Sequence, residues 1–114
     1  MLARKLRICK KSDFGKIFKS GSRSSSSLIK IFWLKNDSLK CRFAFIVANS
    51  VSKKSTVRNK IKRRLRAIIY KHIKEFVPEF DYIIMAQKPS VEADYQSVEM
   101  TIVDQLKKYK LLNG

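Results

Sequence analysis

Hydrophobic positions along this chain change their period several times, and each change marks an element. Phe14, Ile17 and Phe18 recur at the i, i+3, i+4 spacing of one helical face. Ser12 is placed to cap that helix and Asp13 suits its positive end. The pattern predicts a short helix from Asp13 to about Lys19, stopped at Gly21. A polar loop, SGSRSSSS, follows over residues 20–27, with room for a short strand around 21–27. Leu28 to Leu34 then alternates as a strand does, with Ile29, Ile31 and Trp33 on one face. Leu28, Lys30, Phe32 and Leu34 take the other, more open face. After a turn at Asn36-Asp37-Ser38, a second strand runs from Arg42 to Ala48. Its Phe43, Phe45 and Val47 oppose the smaller Ala44 and Ala48. Two strands across a short turn predict an antiparallel hairpin.

The longest helical period comes next. Val57, Ile61, Leu65, Ile68, Ile69 and His72 form one stripe, with Ser55 or Thr56 as the cap. Pro78 bounds this helix and puts its close near Phe76. Tyr82 to Ala86 reads as a short apolar strand buried on both faces, and Lys88-Pro89-Ser90 as a turn. Asp94 caps a last helix to about Leu111, whose stripe is Val98, Ile102, Leu106 and Tyr109. The order is α-β-β(-β)-α-β-α: an α+β protein, a two-layer α/β sandwich with one small mixed sheet. Neither repeats nor a Gly- or Pro-rich linker divides the 114 residues, so one domain over 1–114 is expected. Residues 1–11 have no period and are expected to lie extended.

Charge changes the picture most. The formal net charge is +17, from 26 Lys and Arg against 9 Asp and Glu, which calls for a polyanionic partner. The excess is lopsided. Residues 1–74 carry 22 basic side chains against Asp13 and Asp37, whereas residues 75–114 carry four against seven acids. The hydrophobic fraction of 45% excludes a disordered basic tail. Within the long helix, Lys53 to Arg66 (KKSTVRNKIKRRLR) holds eight basic residues in fourteen, and no acid. Arg58, Lys62 and Arg66 climb one edge of the apolar stripe, with Asn59 and Arg63 beside them. Such a helix anchors one side to a core and presents cations on the other.

The remaining chemistry is sparse. Cys9 and Cys41 stand far apart without a CxxC, so neither zinc nor a disulfide framework is expected, only reduced thiols. His72 sits on the apolar stripe as a packed or rim histidine, and the acids show no metal-ligand spacing. No apolar run approaches the ~18 residues of a membrane span, and MLARKLRICKK has no secretory h-region. A cytoplasmic protein is expected, with no catalytic residue of its own. Clustered Lys and Arg neutralise phosphates, and Asn59 adds a directional group for a base edge or 2′-hydroxyl. Phe14, Phe18 and Phe32, the last on the face of Lys30, are either core or a floor on which single-stranded bases stack. Three classes compete: an RNA-processing subunit, a ribosomal-type protein that only scaffolds RNA, and a helix-turn-helix DNA binder. The last needs a second short helix just before the basic one, where a strand is predicted.

The basic run resembles the signature of the bacterial ribonuclease P protein subunit. That signature is a basic and a small residue, two variable ones, then R-N-x-x-K-R-x-x-R, built around an Arg-Asn-Arg core. Here Lys54, Ser55, Arg58, Asn59, Lys62, Arg63 and Arg66 match its pattern. Lys60 stands for the second Arg of the core, Ser55 for the usual Ala, and Asn49 for a basic residue after the strand. LRICKKSDFGKIFKSG resembles the family's opening helix, and RFAFIVA and DYIIMAQKP its flanking strands. The resemblance implies a fold with a left-handed β-α-β crossover, and a subunit of the ribonucleoprotein that removes the 5′ leader from precursor tRNA. It implies that a catalytic RNA performs the hydrolysis with magnesium, held mainly by the RNA and at the RNA–protein interface, without an organic cofactor. Arg58, Asn59, Lys60, Lys62, Arg63 and Arg66 would then face the catalytic RNA. Phe14, Phe18, Lys30 and Phe32, with Lys53 and Lys54 at the rim, would hold the precursor's leader. The implied partners are the catalytic RNA and precursor tRNA, with no membrane and no obligate protein partner.

Overall fold

The computed structural model describes residues 7–8, 11–37 and 40–113. Cys9 and most of the segment expected to be extended, residues 1–11, lie outside the described residues. The elements run α1 (Lys11–Ser20), β1 (Ser22–Ser25), β2 (Ile29–Lys35), β3 (Arg42–Ile46), α2 (Ser55–Lys71), β4 (Phe80–Ala86) and α3 (Tyr95–Lys108). A single-turn 3₁₀ segment, Ile73–Glu75, follows α2, and another, Lys88–Val91, follows β4. The optional early strand is therefore real. It is β1, antiparallel to β2 with Arg23 opposite Phe32.

The four strands are ordered β1-β2-β4-β3. This corrects the expected hairpin, because β2 and β3 are not neighbours. β4 lies between them, antiparallel to β2 and parallel to β3. The cause lies in burial: Tyr82, Ile83 and Ile84 are fully buried, so the most apolar strand takes a central place covered on both faces. β3–α2–β4 is then a crossover between adjacent parallel strands. The expected close of the basic helix near Phe76 is also corrected. α2 ends at Lys71 and the chain tightens into the 3₁₀ turn before Phe76.

Alternation along each strand divides two cores. Ile29, Ile31, Trp33, Phe43, Val47, Tyr82 and Ile84 pack with Ile61, Leu65, Ile68 and Ile69 of α2 and Val98, Ile102 and Leu106 of α3. The expected stripes of both helices are those buried, although Tyr109 is largely exposed and rests on Trp33 at 5.0 Å between ring centroids. The opposite face is smaller: Phe32, Ala44 and Ile83 pack with Ile8 and Ile17, and Phe14 leans on them. So α2 and α3 make one full layer, and α1 covers part of the other face. Gln105 of α3 is buried yet satisfied, donating to Ser24 Oγ at 3.0 Å and so tying α3 to β1. Asp94 caps α3 as expected, accepting from the Ser97 backbone N–H at 2.8 Å.

Candidate nucleic-acid interface

α2 buries Ile61, Leu65, Ile68 and Ile69 against the sheet, which leaves its basic residues on the remaining sides. Asn59, Lys60 and Arg63 are exposed, and Lys62 and Arg66 are half-exposed. None of these four cations has an ion pair among the described residues. The other two arginines of the run are already engaged. Arg58 donates to the Ser52 carbonyl at 2.9 Å and fastens the loop before the helix, and Arg64 donates to the Ala93 carbonyl at 3.3 Å. Arg58, expected among the RNA contacts, is thus half-buried and holds its own backbone loop. At the start of α2 the N-cap position is Lys54, with no side-chain cap. Ser55 and Thr56, expected to cap, lie inside the first turn. That turn carries no acid, so free N–H groups and cations face the same solvent. Lys53 lines a groove there with Asn49, Ser50 and Arg58.

The second surface is built by α1 on the open face of the sheet. α1 runs across the strands: Asp13 near its start pairs with Arg42 of β3 at 3.4 Å, and Phe18 near its end meets Phe32 of β2. The Phe18 and Phe32 rings form an edge-to-face pair, 4.9 Å between centroids at 77°. Phe18 is 40% exposed and Phe32 only 8%. Phe32 therefore supports Phe18 from below, and any stacking on a base falls to Phe18. Beside α1, register places Lys30, Met85 and Ile46 in one row across β2, β4 and β3. Strand neighbours lie ~4.8 Å apart, so the row is roughly 10 Å long. Lys30 closes one end, and Arg23, opposite Phe32 and exposed, adds a cation that the sequence reading did not single out. A polar loop gave no sign of it; only the β1–β2 register does.

The two surfaces meet at the edge strand β3. A cavity of about 170 Å³ is lined by Phe14 of α1, Phe43, Ala44 and Phe45 of β3, Arg66 of α2, and Arg7 and Ile8. The Ile8 N–H donates to the Phe43 carbonyl at 3.0 Å, holding that segment along the strand. Phe14 and Arg66, assigned to different surfaces from the sequence, thus share one cavity. α1 itself is pinned by a polar lock: the Arg42 fork donates to both Asp81 carboxylate oxygens, at 2.8 and 2.6 Å. Asn36 Nδ2 also donates to Asp81, at 2.7 Å.

His72 and Cys41 are among the shifted titratable groups. Burial alone would lower the His72 pKa, but hydrogen bonds to Glu75 at 2.6 Å and Glu99 at 2.9 Å outweigh it and hold the imidazole above its ordinary value. This makes His72 an ion-paired rim residue joining α2 to α3. Cys41 is a half-buried free thiol raised by burial, and its Sγ–H points to the Val77 carbonyl. Among the described residues no group of three or more His, Cys, Asp or Glu is placed to hold a metal ion. No helix there is long and apolar enough to cross a membrane.

A family model described as Ribonuclease P matches residues 2–110, nearly the whole chain. The chain belongs to the ribonuclease P protein family. Relatives named ribonuclease P protein component include one from Listeria innocua, 32% identical over 114 aligned residues that cover 97% of this chain and 93% of that protein. One from Cyanothece is 29% identical, with 100% of this chain and 99% of that protein covered. The ribonuclease P fold itself is matched by the Staphylococcus aureus RNase P protein, TM-score 0.85 at 26% identity, over 95% of this chain and 98% of that one. The Thermotoga maritima RNase P protein gives a TM-score of 0.81 at 25% identity, covering 90% of this chain and 96% of that one. Ribonuclease P and tRNA processing are therefore the setting in which the two surfaces are to be read.

Proposed function

We propose that this protein binds the catalytic RNA of ribonuclease P through α2 and the 5′ leader of precursor tRNA along the α1 side of the sheet. Binding both promotes endonucleolytic removal of the leader in the cytoplasm. The observation that carries the reading is the set of cations Lys60, Lys62, Arg63 and Arg66, held outward by a helix whose other side is buried and answered by no acid within the described chain. A polyanion supplies that answer. Asn59 stands among them, free to read a base edge or a 2′-hydroxyl. Phe18 offers a ring edge-supported by Phe32, and Lys30 and Arg23 offer cations for the leader's phosphates.

In this reading the hydrolysis belongs to the RNA and its magnesium. Asp13 and Asp81 both pair with Arg42, so these two carboxylates are engaged in holding α1 to the sheet. What the chain contributes is position and charge. It neutralises crowded phosphates where the two RNAs approach, at the β3 edge where Phe14 and Arg66 meet. The experiment is reconstitution of ribonuclease P RNA with and without the protein at low magnesium, on precursors with leaders of differing length. Cleavage should resume on adding protein, with preference for leader-bearing substrate. No change in either would leave an RNA-scaffolding role in its place.

A further inference from the structure

The C-terminal half of α2 carries a surface that the basic signature does not account for. Tyr70 is 54% exposed, although it lies one residue from the fully buried Ile69. It belongs to neither core cluster and pairs with no other ring among the described residues. Arg63, Arg66, Ala67, Tyr70 and Lys71 line one groove of about 330 Å³. Their positions are i, i+3, i+4, i+7 and i+8, a single helical face. Exposed Ala67 leaves a notch between the arginines and the ring, because its methyl group is too short to fill it. Arg66 precedes Tyr70 by four residues, a rise of ~6 Å, comparable with the reach from a nucleotide's base to its own phosphate. Arg63 and Arg66 have no ion pair among the described residues, whereas Lys71 is half-committed to Glu99 at 3.0 Å.

We infer that this groove takes one unpaired nucleotide of the catalytic RNA, its base stacked on Tyr70 and its phosphate on Arg66 and Arg63. The inference rests on the reading that α2 faces that RNA. Charge decides the occupant: the groove is lined by three cations and no acid, which fits an anion with an aromatic face. Stacking explains why an exposed aromatic is kept there, since each base stacked on a ring contributes about tenfold or more in affinity. The face is continuous with Lys62 and Arg63, so the nucleotide extends the α2 surface by two helical turns toward α3 rather than starting a separate one.

The test is equilibrium binding of the full protein to ribonuclease P RNA, with base-specific chemical probing of the bound RNA. Tyr70→Ala should weaken binding about tenfold, leave its salt dependence unchanged, and re-expose a single protected base. Tyr70→Phe should retain both affinity and protection, since the ring remains. Wild-type affinity for Tyr70→Ala, with Arg63→Ala weakened, overturns the stacking site alone. Wild-type affinity for both variants overturns the placement of α2 on this RNA as well. If Tyr70→Ala instead weakens precursor tRNA binding by the assembled holoenzyme and spares the catalytic RNA, the occupant has been misassigned. Melting curves of Tyr70→Ala matching wild type exclude a folding defect, as expected for an exposed side chain.

Discussion

Gly21 shows how one residue fixes the geometry of the surface proposed for the leader. It ends α1, and its N–H donates to the Ile17 carbonyl at 2.9 Å. A Cβ there would stand 2.5 Å from the Ile17 carbonyl oxygen and 2.7 Å from that of Trp33. Both are backbone atoms, so α1 and β2 would have to part. Gly21→Ala should therefore destabilise the fold by about 1–3 kcal/mol, and an unchanged melting curve would contradict the close approach. Phe18 makes the complementary case, since it is exposed and its loss should spare the fold. Phe18→Ala should weaken leader-bearing precursor roughly tenfold through lost stacking, while mature tRNA binds as before. Equal weakening of both substrates would remove Phe18 from the leader surface. The sequence placed Phe14, Phe18 and Phe32 on the right elements but could not rank them. Exposure ranks them: Phe32 supports, Phe14 is half-buried at the β3 edge, and Phe18 is open.

At the scale of elements, the helices were legible because their periods are strong, and their ends were less so. The Ile61, Leu65, Ile68 stripe is the one buried, yet the cap fell on Lys54, because nothing local forces a hydroxyl to cap when the first turn is solvated. The hairpin expectation failed for a different reason. Short separation favours β2–β3 pairing, but β4 is the strand with both faces apolar, and inserting it between them buries more. The junction of α2 and α3 rests on His72, Lys71, Glu75 and Glu99. Glu99 is held below its ordinary carboxylate value by Lys71 first and His72 second. A raised histidine contributes stability that is complete below its unfolded pKa, 6.5, and lost as pH rises through the folded value. A lowered glutamate contributes stability above 4.5 that is lost as pH falls through its folded value. The cluster should thus stabilise most between pH 4.5 and 6.5. His72→Gln should flatten the decline in melting temperature above that window. A variant that keeps the wild-type slope would show that another group carries it.

Across the whole molecule, the charge of +17 pointed to an anionic partner but could not say which cations meet it. Lys62, Arg63 and Arg64 are consecutive and equal in any count of charge. In the fold they part: Arg63 is exposed and unpaired among the described residues, while Arg64 donates to the Ala93 carbonyl and joins α2 to the entry of α3. Salt dependence separates the two. Binding to the catalytic RNA releases counterions in proportion to the phosphates neutralised, and four contacts from Lys60, Lys62, Arg63 and Arg66 give a log–log slope of about −3 to −4. Arg63→Ala should reduce that slope by about 1 and leave the melting curve unchanged, whereas Arg64→Ala should lower the melting temperature and leave the slope nearly intact. Affinity measured from low to moderate salt, with melting of the same samples, reads both quantities. Equal slopes for the two variants would mean that charge alone, without the orientation imposed by the buried side of α2, governs recognition.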